Sequence, residues 1–105
     1  MSATKAKVLK IISENGVVVF SKASCPYCTA SKKKLKDMGA TFTVQELDKL
    51  KDGKAMQAAL QEISNQRTVP NIFIKQKHIG GNSDLQGKST NELKKLLKEA
   101  GAIPA

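Results

Sequence analysis

A chain of 105 residues, 40% hydrophobic and 26% charged, has the length and composition of one globular domain that buries a core without a metal or disulfide staple. Its formal net charge of +9 suits anionic partners, but the lysines are spread along the chain, with no arginine-rich run and no interleaved aromatics, which argues against nucleic acid. No apolar run nears the ~18 residues of a membrane span, and no apolar core marks a signal segment, so a reducing cytoplasm is the expected setting.

Residues 5–14 place Val8, Leu9 and Ile12 on one face, and Asn15-Gly16 ends the segment, which predicts a short helix. Val17 to Phe20 is a continuous β-rich apolar run, the pattern of a strand covered on both faces. Over residues 26–38, Cys28, Ser31, Leu35 and Met38 form a stripe at helical spacing, with Gly39 as the stop. Thr41 to Leu47 reads as a second strand. Residues 53–64 read as a helix striped by Met56, Ala59, Leu60 and Ile63 and capped by Asp52. Beyond Val69-Pro70, the runs Ile72-Phe73-Ile74 and His78-Ile79 flank Lys75-Gln76-Lys77 and predict a hairpin, although its turn lacks the Asn-Gly signal. Ser89-Thr90-Asn91-Glu92 spells a capping box ahead of Leu93, Leu96, Leu97 and Ala100, and Gly101 closes that helix. The order α-β-α-β-α-β-β-α, without repeat or linker, predicts one domain over residues 1–105: one sheet with helices on both faces.

The chemistry points to Ser24-Cys25-Pro26-Tyr27-Cys28. Its two cysteines are the only two in the chain, three positions apart at the junction of a predicted strand and helix, which reads as a redox dithiol. The nucleophile in thiol–disulfide exchange is the thiolate, and an ordinary thiol with a pKa of ~8.5 is only a few per cent ionised at neutral pH. A sulfur at the start of a helix faces unpaired N–H groups and the positive end of the helix dipole, both of which favour the thiolate. Pro26 suits the first helical turn because its missing N–H has no partner there to lose, and Lys22 adds a cation near the sulfur. Cys28 lies one turn in, on the apolar stripe, where a less ionised thiol can resolve a mixed disulfide formed at Cys25. A zinc site would need two further ligands, and His78 is the only other soft candidate, so no metal is expected.

Three segments carry a family resemblance in order and spacing: Lys22-Ala23-Ser24-Cys25-Pro26-Tyr27-Cys28, then Gln66-Arg67-Thr68-Val69-Pro70-Asn71-Ile72-Phe73-Ile74, then His78-Ile79-Gly80-Gly81-Asn82-Ser83-Asp84-Leu85. Over nearly its whole length the chain resembles a dithiol glutaredoxin of the Cys-Pro-Tyr-Cys type. Thioredoxin proper is a poorer match, since it would carry a Trp beside a Gly-Pro pair between its cysteines. The resemblance implies an α/β thioredoxin-like fold, a four-stranded mixed sheet flanked by helices on both faces, with an extra N-terminal helix. It implies a glutathione-dependent thiol–disulfide oxidoreductase with Cys25 as nucleophile and Cys28 as resolving thiol. Glutathione is then the co-substrate and no cofactor is tightly bound. The implied partners are glutathione and glutathionylated or disulfide-containing proteins, with no nucleic acid and no membrane, and the implied state is a monomer.

Position by position, Lys22 and Gln57 match residues that hold the glycyl carboxylate of glutathione. Val69 precedes a proline, Pro70, that is cis in the family, and its backbone pairs with the cysteinyl unit. Ser83 and Asp84 match residues that receive the γ-glutamyl end, at a new helix start, and Gly81 admits the backbone closely. Tyr27, Thr68 and Asn82 line the same groove, whereas Arg67 stays outside the expected site. Asn65 departs from the family, standing at a helix end where many relatives carry Gly. Two rivals follow from the same residues: a dimer holding a glutathione-ligated iron–sulfur cluster through Cys25 of each subunit, against which Pro26 argues by stiffening the loop, and a non-catalytic redox-sensing module.

Overall fold

The computed structural model describes residues 2–104. Its elements are α1 (Ala3–Glu14), β1 (Val17–Ser21), α2 (Pro26–Asp37), β2 (Thr43–Glu46), a 3-10 turn (Leu47–Lys49), α3 (Gly53–Ser64), β3 (Asn71–Ile74), β4 (Lys77–Gly80), α4 (Asn82–Gln86) and α5 (Thr90–Glu99). The strands form one mixed sheet in the order β2-β1-β3-β4. β1 runs parallel to β2 and antiparallel to β3, and β3 and β4 form the hairpin.

β1 is apolar without alternation because it is central and covered on both sides; all five of its residues are buried. Val18 and Phe20 face α1 and α3 and join Val8, Ile12, Met56, Leu60 and Phe73. Val17 and Val19 face the other way, with Leu35 of α2, Leu85 of α4, and Leu93 and Leu97 of α5. Each fully buried side chain of this size contributes about 1.5–3 kcal/mol of transfer free energy. These two layers fix the level at which α2 begins above the end of β1.

The expected elements form, with adjustments that have physical causes. α1 starts at Ala3, earlier than expected, because the Ser2 hydroxyl accepts from the Lys5 N–H at 3.1 Å. The second strand is only Thr43–Glu46, because buried Leu47 opens the 3-10 turn. Asp52 stands at the α3 N-cap position without a side-chain capping bond; its carboxylate is drawn to Lys7 Nζ at 2.8 Å, 45 residues away. Asn65 ends α3 in the left-handed region, φ 59°, a conformation that Asn tolerates better than other side chains. The hairpin turn places Lys75 at φ 49° and Gln76 at φ 65°, the two left-handed residues of a type I′ turn without the usual Asn-Gly. In the last helix, Ser89 Oγ caps the Glu92 N–H at 3.1 Å, while the Glu92 carboxylate faces Lys88 at 3.9 Å. α4, which shows no periodicity in the sequence, inserts a fifth helix between β4 and α5.

Candidate active site

Cys25 is the N-cap of α2, in extended conformation with φ −89° and ψ 117°, and Pro26 opens the helix behind it. Its Sγ accepts from the Cys28 backbone N–H at 3.3 Å, so one of the helix's orphan donors is spent on sulfur. The Cys25 carbonyl accepts from the Thr29 N–H at 3.1 Å, and the Cys25 N–H donates to the Lys22 carbonyl at 3.0 Å. These bonds fix the loop that carries the thiol. Cys25 is half-buried, Cys28 is fully buried, and both are free thiols.

The two thiols differ in environment. Burial pushes the Cys28 thiol up from its ordinary pKa, and hydrogen bonding with Cys25 adds to this; the Lys22 backbone and the Ser21 hydroxyl pull the other way and do not compensate. Cys28 therefore stays protonated at neutral pH, as expected of a thiol held in reserve.

Across from Cys25 runs the loop before β3. The Cys25 thiol reaches toward the Val69 carbonyl at 3.9 Å, and the Val69–Pro70 peptide bond is cis. Tyr27, Thr68, Val69, Pro70, Gly81, Asn82 and Ser83 together line one open groove of about 480 Å³, so three separate stretches of sequence converge beside Cys25. Tyr27 is 69% exposed and is the most open of the large hydrophobic side chains among the described residues. Asn82 also pins α4 to α2, because its Oδ1 accepts from the buried Ser31 hydroxyl at 2.8 Å. Asp84 lies outside the groove lining, with Oδ2 accepting the Gly81 N–H at 2.8 Å.

Of the two adjacent glycines, both in the stretch expected to receive the ligand, Gly81 is not the one that the chain's own backbone demands. It has an ordinary φ of −97°, and a Cβ would meet only the Pro70 carbonyl oxygen, at 3.7 Å, and an Asp84 carboxylate oxygen, at 3.9 Å. Gly80 is the strict one, with φ +120° and no room for a Cβ beside Asp84.

A second basin of about 460 Å³ is lined by Lys22, Lys54, Gln57, Ala58, Gln61 and Arg67. Lys22, Lys54 and Arg67 make no ion pair among the described residues, so the basin presents uncompensated positive charge. The Gln57 carboxamide donates to the Arg67 carbonyl at 2.7 Å, tying α3 to the loop before β3. Arg67 and Lys54 thus share the basin with Lys22 and Gln57, a grouping that the sequence did not suggest. Arg67 could have been found from its place beside Thr68-Val69-Pro70, but Lys54 gives no local signal.

A family model described as glutaredoxin matches residues 17–79. The glutaredoxin of Ricinus communis is 52% identical over 104 residues, covering 98% of this chain and all of its own. The chain belongs to the glutaredoxin family. A glutaredoxin of Solanum lycopersicum is likewise 52% identical over 104 residues, 98% of this chain and 94% of that one. The buckwheat glutaredoxin–glutathione complex superimposes with a TM-score of 0.92 at 43% identity, covering 96% of this chain and 93% of that one. The holo form of glutaredoxin C1 from Populus tremula x tremuloides gives 0.91 at 43% identity, covering 94% and 99%. The fold is thioredoxin-like with an N-terminal helix added, and the glutaredoxin activity is thiol–disulfide oxidoreduction. In glutaredoxin terms, the Cys-Pro-Tyr-Cys motif is the head of α2, and Thr68-Val69-Pro70 and Gly81-Asn82-Ser83 form the far wall of the groove.

Proposed function

We propose that the chain reduces glutathione mixed disulfides on proteins and, more slowly, some protein disulfides. The observation that carries this reading is the position of Cys25 Sγ, 3.9 Å from the carbonyl of Val69, a residue that lines an uncharged groove, while Lys22 and Arg67, near Cys25 and Val69 in sequence, line a cationic basin. A tripeptide with a thiol at its middle and a carboxylate at each end fits that division. Its cysteinyl unit lies along Val69 and Pro70, beside Tyr27 and Thr68. The glycyl carboxylate enters the basin with Lys22, Gln57 and Arg67. The γ-glutamyl end meets Gly81, Asn82 and Ser83, where Asp84 keeps one carboxylate oxygen for the glutamyl ammonium. Glutathione on the buckwheat relative supports the same ligand here.

In the reaction, the Cys25 thiolate attacks the glutathione sulfur of the mixed disulfide. The protein thiol leaves and takes up a proton, and Cys25 is glutathionylated. A second glutathione thiolate then attacks that sulfur, releasing Cys25 and glutathione disulfide. Alternatively Cys28 attacks Cys25 Sγ, closes the intramolecular disulfide and expels glutathione. The raised Cys28 thiol disfavours the second route at neutral pH.

Turnover of a small glutathione mixed disulfide, coupled to glutathione reductase, tests the assignment. Cys25→Ser abolishes turnover and Cys28→Ser retains most of it. Full activity in Cys25→Ser overturns the reading, and absence of turnover in the unsubstituted protein would favour the redox-sensing module.

A further inference from the structure

Behind the loop that faces Cys25 runs a chain of polar side chains that the mechanism above does not use. It starts in the sheet. Asn71 is the first residue of β3, buried, and the register partner of Phe20 on β1. Its Nδ2 donates to Ser64 Oγ at 3.1 Å, and the Ser64 hydroxyl donates to the Leu60 carbonyl at 2.8 Å. His78 of β4 stands opposite Phe73, with the ring centroids 5.2 Å apart. Its Nε2 lies 3.0 Å from Asn71 Oδ1 and 3.2 Å from Gln66 Oε1. Gln66 Nε2 donates in turn to the Thr68 carbonyl at 3.1 Å and the Pro70 carbonyl at 3.0 Å.

The hydrogens along this chain follow by elimination. Ser64 spends its hydroxyl hydrogen on the Leu60 carbonyl, so toward Asn71 it can only accept. Asn71 must then turn its NH2 to Ser64 and its oxygen to His78. Gln66 faces two backbone carbonyls, which only accept, so its NH2 points at them and its oxygen at His78. His78 Nε2 thus meets two acceptors and carries a hydrogen. Both Gln66 amide hydrogens are used, one on each carbonyl flanking Val69. Val69 itself stays open: among the described residues its N–H has no partner, and its carbonyl meets only the Cys25 thiol, at 3.9 Å. Burial does little to hold this loop, since Arg67 and Thr68 are exposed and Val69 is half-buried. An extended peptide that pairs with such a backbone loses affinity if it must order the loop as it binds.

We infer that Gln66 is a positioning residue for the loop opposite Cys25: its carboxamide, locked to the sheet through His78 and Asn71, clamps the Thr68 and Pro70 carbonyls and holds the Val69 N–H and C=O ready for an extended thiol peptide. That the peptide is glutathione rests on the proposed reaction; the clamp itself does not. Gln66 lines neither the groove nor the cationic basin, so its loss weakens binding and spares the chemical step at sulfur.

The test has an arm without glutathione and an arm with it. In the first, NMR relaxation reads the backbone order of Arg67, Thr68 and Val69 in the free protein. Gln66→Met, of similar length but without donors, lowers the order parameters of these amides from about 0.85 to below about 0.6 and leaves those of Gly81, Asn82 and Ser83 unchanged. Gln66→Glu keeps the shape but offers the two carbonyls only acceptors at neutral pH, and it loosens the loop as well. His78→Phe keeps a ring against Phe73 and removes the Nε2 hydrogen; it loosens the loop less, and adds nothing in a Gln66→Met background. In the second arm, Gln66→Met raises KM for glutathione about five- to tenfold, with kcat within about twofold of the parent. Unchanged loop order in Gln66→Met overturns the inference. So does equal loosening at Gly81, Asn82 and Ser83, which would mean general softening, or a Gln66→Glu loop as rigid as the parent, which would mean that shape alone matters. Should Gln66→Met fail to fold, Gln66→Glu and His78→Phe still decide by the same readout. If loop order falls but KM does not move, the clamp stands and the glutathione reading is at fault.

Discussion

Replacing Gly80 by Ala separates the glycine that the fold requires from the one that the groove requires. At Gly80 the backbone has φ +120°, and an added Cβ would stand 2.7 Å from Asp84 Cγ and 3.1 Å from Asp84 Cβ, closer than such atoms approach. The left-handed strain costs on the order of 1–3 kcal/mol. Moving Asp84 aside also breaks its 2.8 Å bond to the Gly81 N–H, a cap worth about 0.5–2 kcal/mol. The expected loss is therefore about 1.5–5 kcal/mol, seen as a lowered urea midpoint with an unchanged slope. It comes with a raised KM for glutathione, because α4 carries Asn82 and Ser83 into the groove. Gly81→Ala has ordinary φ and ordinary contacts, so it should unfold within about 0.5 kcal/mol of the parent and show its effect in KM only. Equal stability losses at the two positions would refute the reasoning, and so would a Gly80→Ala protein as stable as its parent.

Asn65→Gly, at φ 59°, should raise stability by up to about 1 kcal/mol and Asn65→Val should lower it, as read by thermal melting. Lys22→Ala and Arg67→Ala should each raise KM for glutathione about three- to tenfold with little change in kcat, and the penalty should shrink as salt shortens the screening length from about 8 Å to about 3 Å. Partial desolvation lowers the pKa of His78, an exposed residue of β4, despite an opposing Asp84 charge. The unfolded chain then binds a proton first, so its contribution to stability is complete above the ordinary histidine pKa and is lost as pH falls through and below it. His78→Gln should flatten that part of the stability–pH curve. Glu46, whose pKa is depressed, stabilises the fold above the ordinary glutamate value, and its contribution is lost at more acid pH, a decline that Glu46→Gln should remove.

What could be read from the sequence was whatever depended on neighbours along the chain. The unbroken Val17–Phe20 run meant a doubly covered strand, and it is one of the two inner strands of the sheet; the Cys28-Ser31-Leu35 stripe marked the buried side of α2. What could not be read depended on partners brought from far away. Asp52 looked like a cap until Lys7, 45 residues off, took its carboxylate. α4 has five residues and one buried side chain, Leu85, too few to show a period. Lys75-Gln76 adopts the turn that Asn-Gly would, because pairing of Ile74 with Lys77 leaves two residues to reverse the chain. Among site residues, Thr68, Val69, Pro70, Gly81, Asn82 and Ser83 converge with Tyr27 on one groove, whereas Lys54 joins the cationic basin only through the position of α3.

The inequality of the two thiols follows from one turn of helix. Cys25 sits outside the hydrogen-bonded ladder, so its sulfur can accept the Cys28 N–H at 3.3 Å; Cys28 sits inside, so its backbone serves Cys25 while its side chain is buried. Cys28 therefore acts on Cys25 in two separable ways, through an amide that is always present and a thiol that the proposed route through Cys25 alone does not need. Cys28→Ser removes only the second. If that protein lost deglutathionylation as completely as Cys25→Ser, the side chain rather than the amide would be sustaining Cys25, and the monothiol route would have no structural basis. Retained turnover, with the intramolecular disulfide gone, is the result that the positions of Cys25 and Cys28 on α2 require.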